Sequence, residues 1–165
     1  MQVFFVKEEN MWKKFALGSL GLWLLTLGVG GYFFVFGTAT KGDDGRLAVV
    51  LHRDERNLVL AEMRQLLAGV QIILEALTTN DLKVVEKTAS SLGMKAAADV
   101  NPSLMAKLPL DFKSTGMGVH GRFDEMALKV HSGQMNKDKI LQEVSDIMLT
   151  CVGCHQAYRL DEPSN

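Results

Sequence analysis

The chain has 165 residues, enough for one ordinary domain with an appendage and too short for two full-sized domains. Apolar residues make up 47% and charged residues 22%, which fits neither a disordered chain nor a polytopic membrane protein. Eighteen Lys and Arg against nineteen Asp and Glu leave a net charge of −1, which excludes a strongly basic nucleic-acid binder. Two cysteines cannot build a disulfide framework.

The composition is divided along the chain, because no charged residue lies between Phe15 and Thr40. As a helix, the apolar run from Phe15 to Gly37 would reach roughly 34 Å at about 1.5 Å per residue, enough to cross the hydrocarbon core of a bilayer. Trp12 lies near one end, and Tyr32, Phe33 and Phe34 lie near the other, where aromatic rings favour the membrane interface. Segment 1–14 carries Lys13 and Lys14 against the run, whereas Lys41 is followed by Asp43 and Asp44. The positive-inside tendency therefore puts residues 1–14 in the cytoplasm and 41–165 outside. A cleaved secretory leader, cut within Gly37-Thr38-Ala39-Thr40, is the competing reading. The run exceeds the ~7–15 residues of a leader core and follows Glu8 and Glu9, so a retained single-pass anchor is expected. Gly21 and Gly28 share nearly one face of it, which suits close packing against another membrane helix or, equally in keeping with a single anchor, reflects the commonness of glycine in such segments.

Residues 38–46 read as a linker, and 47–165 as a helical domain. Val59, Met63, Leu66, Val70, Ile73 and Leu77 recur at three- and four-residue steps and form one apolar stripe. Asn80 is placed to cap a second helix with Leu82, Val85, Ala89 and Leu92 on one face. Pro102, Pro109, Gly116 and Gly118 mark 99–118 as a long connection. A third helix carries Val119, Phe123, Met126 and Val130 and ends near Gly133. A fourth runs from Lys137 to Arg159 with Ile140, Val144, Ile147, Cys151, Cys154, His155 and Tyr158 on one side. No strand alternation stands out. The expected fold is all-α, an antiparallel four-helix bundle preceded by one transmembrane helix.

Both cysteines fall in one pentapeptide, Cys151-Val152-Gly153-Cys154-His155. C-x-x-C-H is the attachment signature of c-type haem. On a helix, positions i, i+3 and i+4 share a face, so two thiols and an imidazole converge on one flat object. The thiols add to the haem vinyl groups, and His155 reaches the iron. A thioredoxin-type C-x-x-C would sit beside a βαβ pattern. A zinc site would need four ligands, and His52, His120 and His131 show no ligand spacing. A disulfide between i and i+3 would constrain almost nothing. One covalently bound haem c is therefore the expected cofactor.

The extended motif, Cys151-Val152-Gly153-Cys154-His155-Gln156-Ala157-Tyr158-Arg159, resembles the C-terminal ending of the class II cytochromes c, which include the cytochromes c′. The likeness covers about residues 53–161, includes Phe123-Asp124, and departs at Met117, where many members carry tryptophan. It implies a four-helix bundle with haem on the last helix and a distal axial position in the first helix. Met63 matches that position, fourteen residues before Leu77. The Met-ligated branch of the family transfers electrons, whereas members with an apolar distal residue bind nitric oxide or carbon monoxide, which is the alternative function. His52 is a weaker competitor for the iron. Met94, Met117, Met126 and Met148 are read as core. Arg56 is a candidate partner for haem propionates or, equally, a solvated member of the run Arg53-Asp54-Glu55-Arg56. Arg159 is expected one turn after His155, beside the proximal imidazole, and Tyr158 against the haem or inside the bundle. No acid–base pair or nucleophile constellation suggests an enzyme. The partners implied are inner-membrane lipid, redox proteins and other membrane subunits, without nucleic acid. Dimerisation, common in the family, stays open.

Overall fold

The structure, a computed structural model, describes residues 3–98 and 101–163, with side chains from Met11 onward. It is mostly helical. α1 (Val3–Phe36) is followed by strands β1 (Ala39–Lys41) and β2 (Leu47–Val50), then by α2 (Arg53–Thr78) and α3 (Leu82–Ser91). A short α4 (Pro102–Lys107), α5 (Leu110–His131), α6 (Lys137–Ala157) and β3 (Tyr158–Asp161) complete the order.

α1 contains the apolar run, and every side chain from Met11 to Phe36 is exposed. Among the described residues, two helices are long and apolar enough to cross a membrane, α1 over Met11–Phe36 and α2. The two differ in what they bury, since α2 contributes Val70, Ile73, Ala76 and Leu77 to the main core. That core is completed by Val85 and Ala89 of α3, by Val119, Phe123 and Met126 of α5, and by Ile140, Val144 and Ile147 of α6. These are the apolar stripes read from the sequence. A second cluster, with Val49, Leu51, Val59, Leu104, Leu108 and Phe112, joins the strands to α2, α4 and α5.

Four details depart from the sequence reading. Residues 38–46 are not a free linker, and strands do occur. β1 pairs antiparallel with β2 (Ala39↔Val49), and β2 pairs parallel with β3 (Leu47↔Tyr158). Second, α3 is capped by Asp81, whose carboxylate accepts from the Val84 N–H at 3.1 Å, while Asn80 takes a left-handed φ of 55° in the turn before it. Third, the stretch expected as connection holds α4 and the first two turns of α5, because Phe112 and Val119 are buried and their packing outweighs the weak helix propensity of Gly116 and Gly118. Fourth, α6 stops at Ala157, so Tyr158 and Arg159 lie on a strand. The methionines also divide. Met126 is buried, as expected, but Met94 and Met148 are exposed.

The exit of α1 is fixed to the domain. Gly37 has φ 58°, and a Cβ there would collide with the Lys107 carbonyl. The Gly37→Val variant is therefore expected to lose on the order of 1–3 kcal/mol, from a left-handed backbone forced on a β-branched residue and from the lost contact. Thermal unfolding of the full chain in detergent measures it.

Candidate functional site

α2, α5 and α6 enclose a cleft with three compartments of about 360, 190 and 110 Å³, and Met63 and His155 border all of them. The largest is lined almost entirely by apolar side chains, among them Leu66, Leu67, Val70, Phe123, Ile147 and Met148. Cys151 borders the largest and the smallest, and Cys154 the two smaller ones. Thus Met63, whose position on the inward stripe is set by helical period, shares one cleft with the Cys-Val-Gly-Cys-His turn of α6.

Both cysteines are free thiols. Burial pushes the Cys151 thiol up from its ordinary pKa, and burial followed by the neighbouring Cys151 does the same to Cys154. Among the described residues, no group of three or more His, Cys, Asp or Glu side chains is arranged to hold a metal ion. His52 is exposed at the start of α2 and is not among the residues lining the cleft.

Arg56 borders the 190 Å³ compartment with Met63, Cys154, His155 and Tyr158. Its Nε donates to the Leu160 carbonyl at 3.3 Å, and its Nη1 lies 3.8 Å from Glu162, so it is held against the end of β3 while its side chain stays 34% exposed. Arg159 corrects the expectation of a residue one helical turn from the imidazole. Because the helix has ended, its guanidinium is taken by Asp161 at 2.7 Å, by Asp43 and by Asp44 at 3.4 Å. It still borders the compartment. Tyr158 meets Phe112 edge-to-face with ring centroids 5.3 Å apart, and burial raises its phenol pKa.

Two features escaped the sequence reading. Arg46, within the supposed linker, reaches the cleft and donates from Nη1 to the His155 carbonyl at 3.3 Å. A cation there complements the orphan carbonyls and negative dipole end of α6. Its own orientation is fixed by a 2.6 Å ion pair with Asp44, whose pKa is held down at about 2 by that hydrogen bond. Nothing in the local composition distinguishes Arg46 from a solvated turn residue.

The second feature is His120, the one buried polar side chain of the described core. Its Nδ1 lies 2.7 Å from the Leu92 carbonyl and its Nε2 3.0 Å from Glu62, on the wall of the smallest compartment. With an acceptor at each nitrogen, the doubly protonated ring satisfies both. The Glu62 hydrogen bond raises the His120 pKa above 6.5 against the opposing effect of burial, with the Leu92 carbonyl and the Asp124 charge adding to the rise. A proton held more tightly by the folded than by the unfolded chain stabilises the fold fully below the unfolded value, and that contribution fades as pH rises through the folded value. Thermal stability is therefore expected to fall as pH rises from 6.5, and the His120→Gln variant is expected to lack that slope in a pH series of melting temperatures.

Asp124 holds the same turn from the next helical step. Its Oδ2 accepts from the Met94 N–H at 2.9 Å, and Gly93 leaves room for the carboxylate where a Cβ would collide with it. No protein-family model, curated protein or solved structure matches this chain.

Proposed function

We propose that the chain is a membrane-anchored mono-haem c-type cytochrome that transfers electrons on the periplasmic side of a bacterial inner membrane. Its α2, α3, α5 and α6 are read as the antiparallel four-helix bundle of a class II cytochrome c. The observation that carries the proposal is the single apolar cleft bordered by Met63 of α2 and by Cys151, Cys154 and His155 of α6. The residues present fit a haem c, with unpaired thiols three residues apart, an imidazole one position further, a thioether from a second helix, and an apolar compartment of about 360 Å³ bordered by Met63, Cys151 and His155. Arginines at the polar rim, Arg56 and Arg46, supply charge for carboxylate groups.

When bound, such a group supplies a one-electron ferric–ferrous couple whose potential is set by its axial ligands and surroundings. Cys151 and Cys154 would hold the group through thioether links to its vinyl groups, and His155 and Met63 would ligate its iron. The apolar walls, Phe123, Ile147 and Leu66, exclude water and so limit the rearrangement that accompanies a change of charge.

The anchor is read as retained. A leader protease acting within Gly37–Thr40 would have to cut a segment in which Gly37 is buried and Ala39 begins a paired strand. Gly21 and Gly28 have open space around them, which suits docking to another helix of a larger membrane complex. The test is mass spectrometry and optical spectroscopy of the full chain matured in a bacterium competent for c-haem attachment. The expected result is one covalent haem and a low-spin, six-coordinate spectrum. Bare polypeptide overturns the proposal. A covalent haem with a five-coordinate, high-spin spectrum replaces electron transfer by nitric oxide or carbon monoxide binding.

A further inference from the structure

We propose that the domain is seated on the membrane rather than tethered to it, with the α4–α5 corner, residues 102–113, resting on the phospholipid headgroups around the outer end of α1. The inference rests on the reading of α1 as a retained anchor and is independent of haem.

A flexible tether needs consecutive residues whose backbone is free to rotate. None is present at this junction. The Gly37 N–H donates to the Phe33 carbonyl at 2.9 Å, the Thr38 N–H to the Lys107 carbonyl at 2.8 Å, and the Thr38 hydroxyl to the Val50 carbonyl at 2.8 Å. Ala39 then enters β1. That strand leads through β2 to β3, which continues directly from α6, so one sheet connects the anchor to the helix bearing Cys151 and His155. On the other side of the junction, the Lys113 ammonium donates to the Phe34 carbonyl at 3.2 Å and lies 4.6 Å over the Phe34 ring.

Depth follows from helix geometry. Trp12 and Phe36 lie twenty-four residues apart, or roughly 36 Å along a helix, which brackets a hydrocarbon core of about 30 Å and leaves both aromatic ends at interfacial depth. Gly37 therefore sits at headgroup level, and Lys107 and Leu108 touch it there. The corner presents Ala106 and Leu110 outward. Lys113 is placed where an ammonium meets lipid phosphate. Phe112, the preceding residue, turns instead into the cleft, so the seat brings the cleft's own wall close to the membrane surface.

The test uses the full chain in vesicles of phosphatidylethanolamine and phosphatidylglycerol, with Trp12 and Trp23, its two tryptophans, changed to Phe. A reporter is introduced as Leu110→Trp or, at the far end of α5 and roughly 27 Å away, as Leu128→Trp. Each is compared in vesicles with and without bromine on the upper acyl chain, in a Cys151→Ser/Cys154→Ser background so that no covalent haem quenches either reporter. The Leu110→Trp reporter is expected to lose most of its emission to bromine and the Leu128→Trp reporter none, with the difference erased by a Gly-Gly-Ser insertion between Phe36 and Gly37. Equal quenching at both sites, or none at Leu110→Trp, overturns the seat. On the unaltered chain, hydrogen exchange is expected to slow the Gly37 and Thr38 amides by about 100-fold or more, and exchange there at the free-chain rate also overturns it. Haem content is read by mass on that unaltered chain. Its absence there, beside the expected quenching pattern, would sink the cytochrome reading and leave the seat standing.

Discussion

Exchange of both Cys151 and Cys154 for serine is expected to abolish covalent haem in protein matured by a competent host, because the chain has no other thiol. Denaturing extraction followed by mass measurement is the check, and retention of a covalent adduct in the double variant would refute the attachment chemistry. The single variants should differ from it and from each other. Each leaves one thioether and one unreacted vinyl group, so haem survives denaturation in reduced yield and the α-band moves to longer wavelength through the extended conjugation. Cys154 is half-buried and packs against the cluster that joins the strands to α2 and α5, whereas Cys151 is exposed at the cleft edge. Cys154→Ala is therefore expected to lower stability by about 1 kcal/mol more than Cys151→Ala. Cysteines that served thiol–disulfide exchange would give the opposite pattern, with loss of reductant-dependent titration and no change in the visible spectrum.

What could be read from the sequence followed the range of each signal. The stripes in α2, α3, α5 and α6 repeat over nearly three turns or more, and their inward residues Ile73, Val85, Phe123 and Ile140 are fully buried. The strands span only three or four residues, too few for a period of two to declare itself, and their order depends on pairing between residues more than a hundred positions apart. α5 starts nine residues before the first stripe residue read from the sequence, because Gly116 and Gly118 weaken a pattern that tertiary packing of Phe112 and Val119 restores. The chemistry divides in the same way. Cys151, Cys154 and His155 lie within one helical turn, and Met63 on a long stripe, so each is visible locally. Arg46 and His120 act through partners, the His155 carbonyl and Glu62, that only the folded chain brings near. Arg159 fails as a helical neighbour of His155 because three aspartates claim its guanidinium after the helix ends.

Met63→Ala is expected to convert a low-spin, six-coordinate haem into a high-spin, five-coordinate one while leaving its covalent attachment intact. The substitution removes the sulfur and leaves His155, Cys151 and Cys154 untouched, so mass and spectrum separate attachment from ligation. The reduction potential should fall by on the order of 0.1 V, since a thioether favours ferrous iron and axial ligands as a class span about 0.8 V. Carbon monoxide should bind the ferrous variant without displacing a ligand, and faster than it binds the wild type. Packing loss gives a different signature. Met63 is half-buried against the second cluster, so its truncation lowers the melting temperature whether or not it touches iron, and Met63→Leu controls for this by restoring volume without sulfur. If Met63→Leu recovers stability but stays high-spin, the sulfur is the ligand. If wild type, Met63→Ala and Met63→Leu share one spin state, the side chain is filler. The distal face is then held by another group or stands open to small gases, and the electron-carrier reading gives way to gas binding wherever that shared state is five-coordinate.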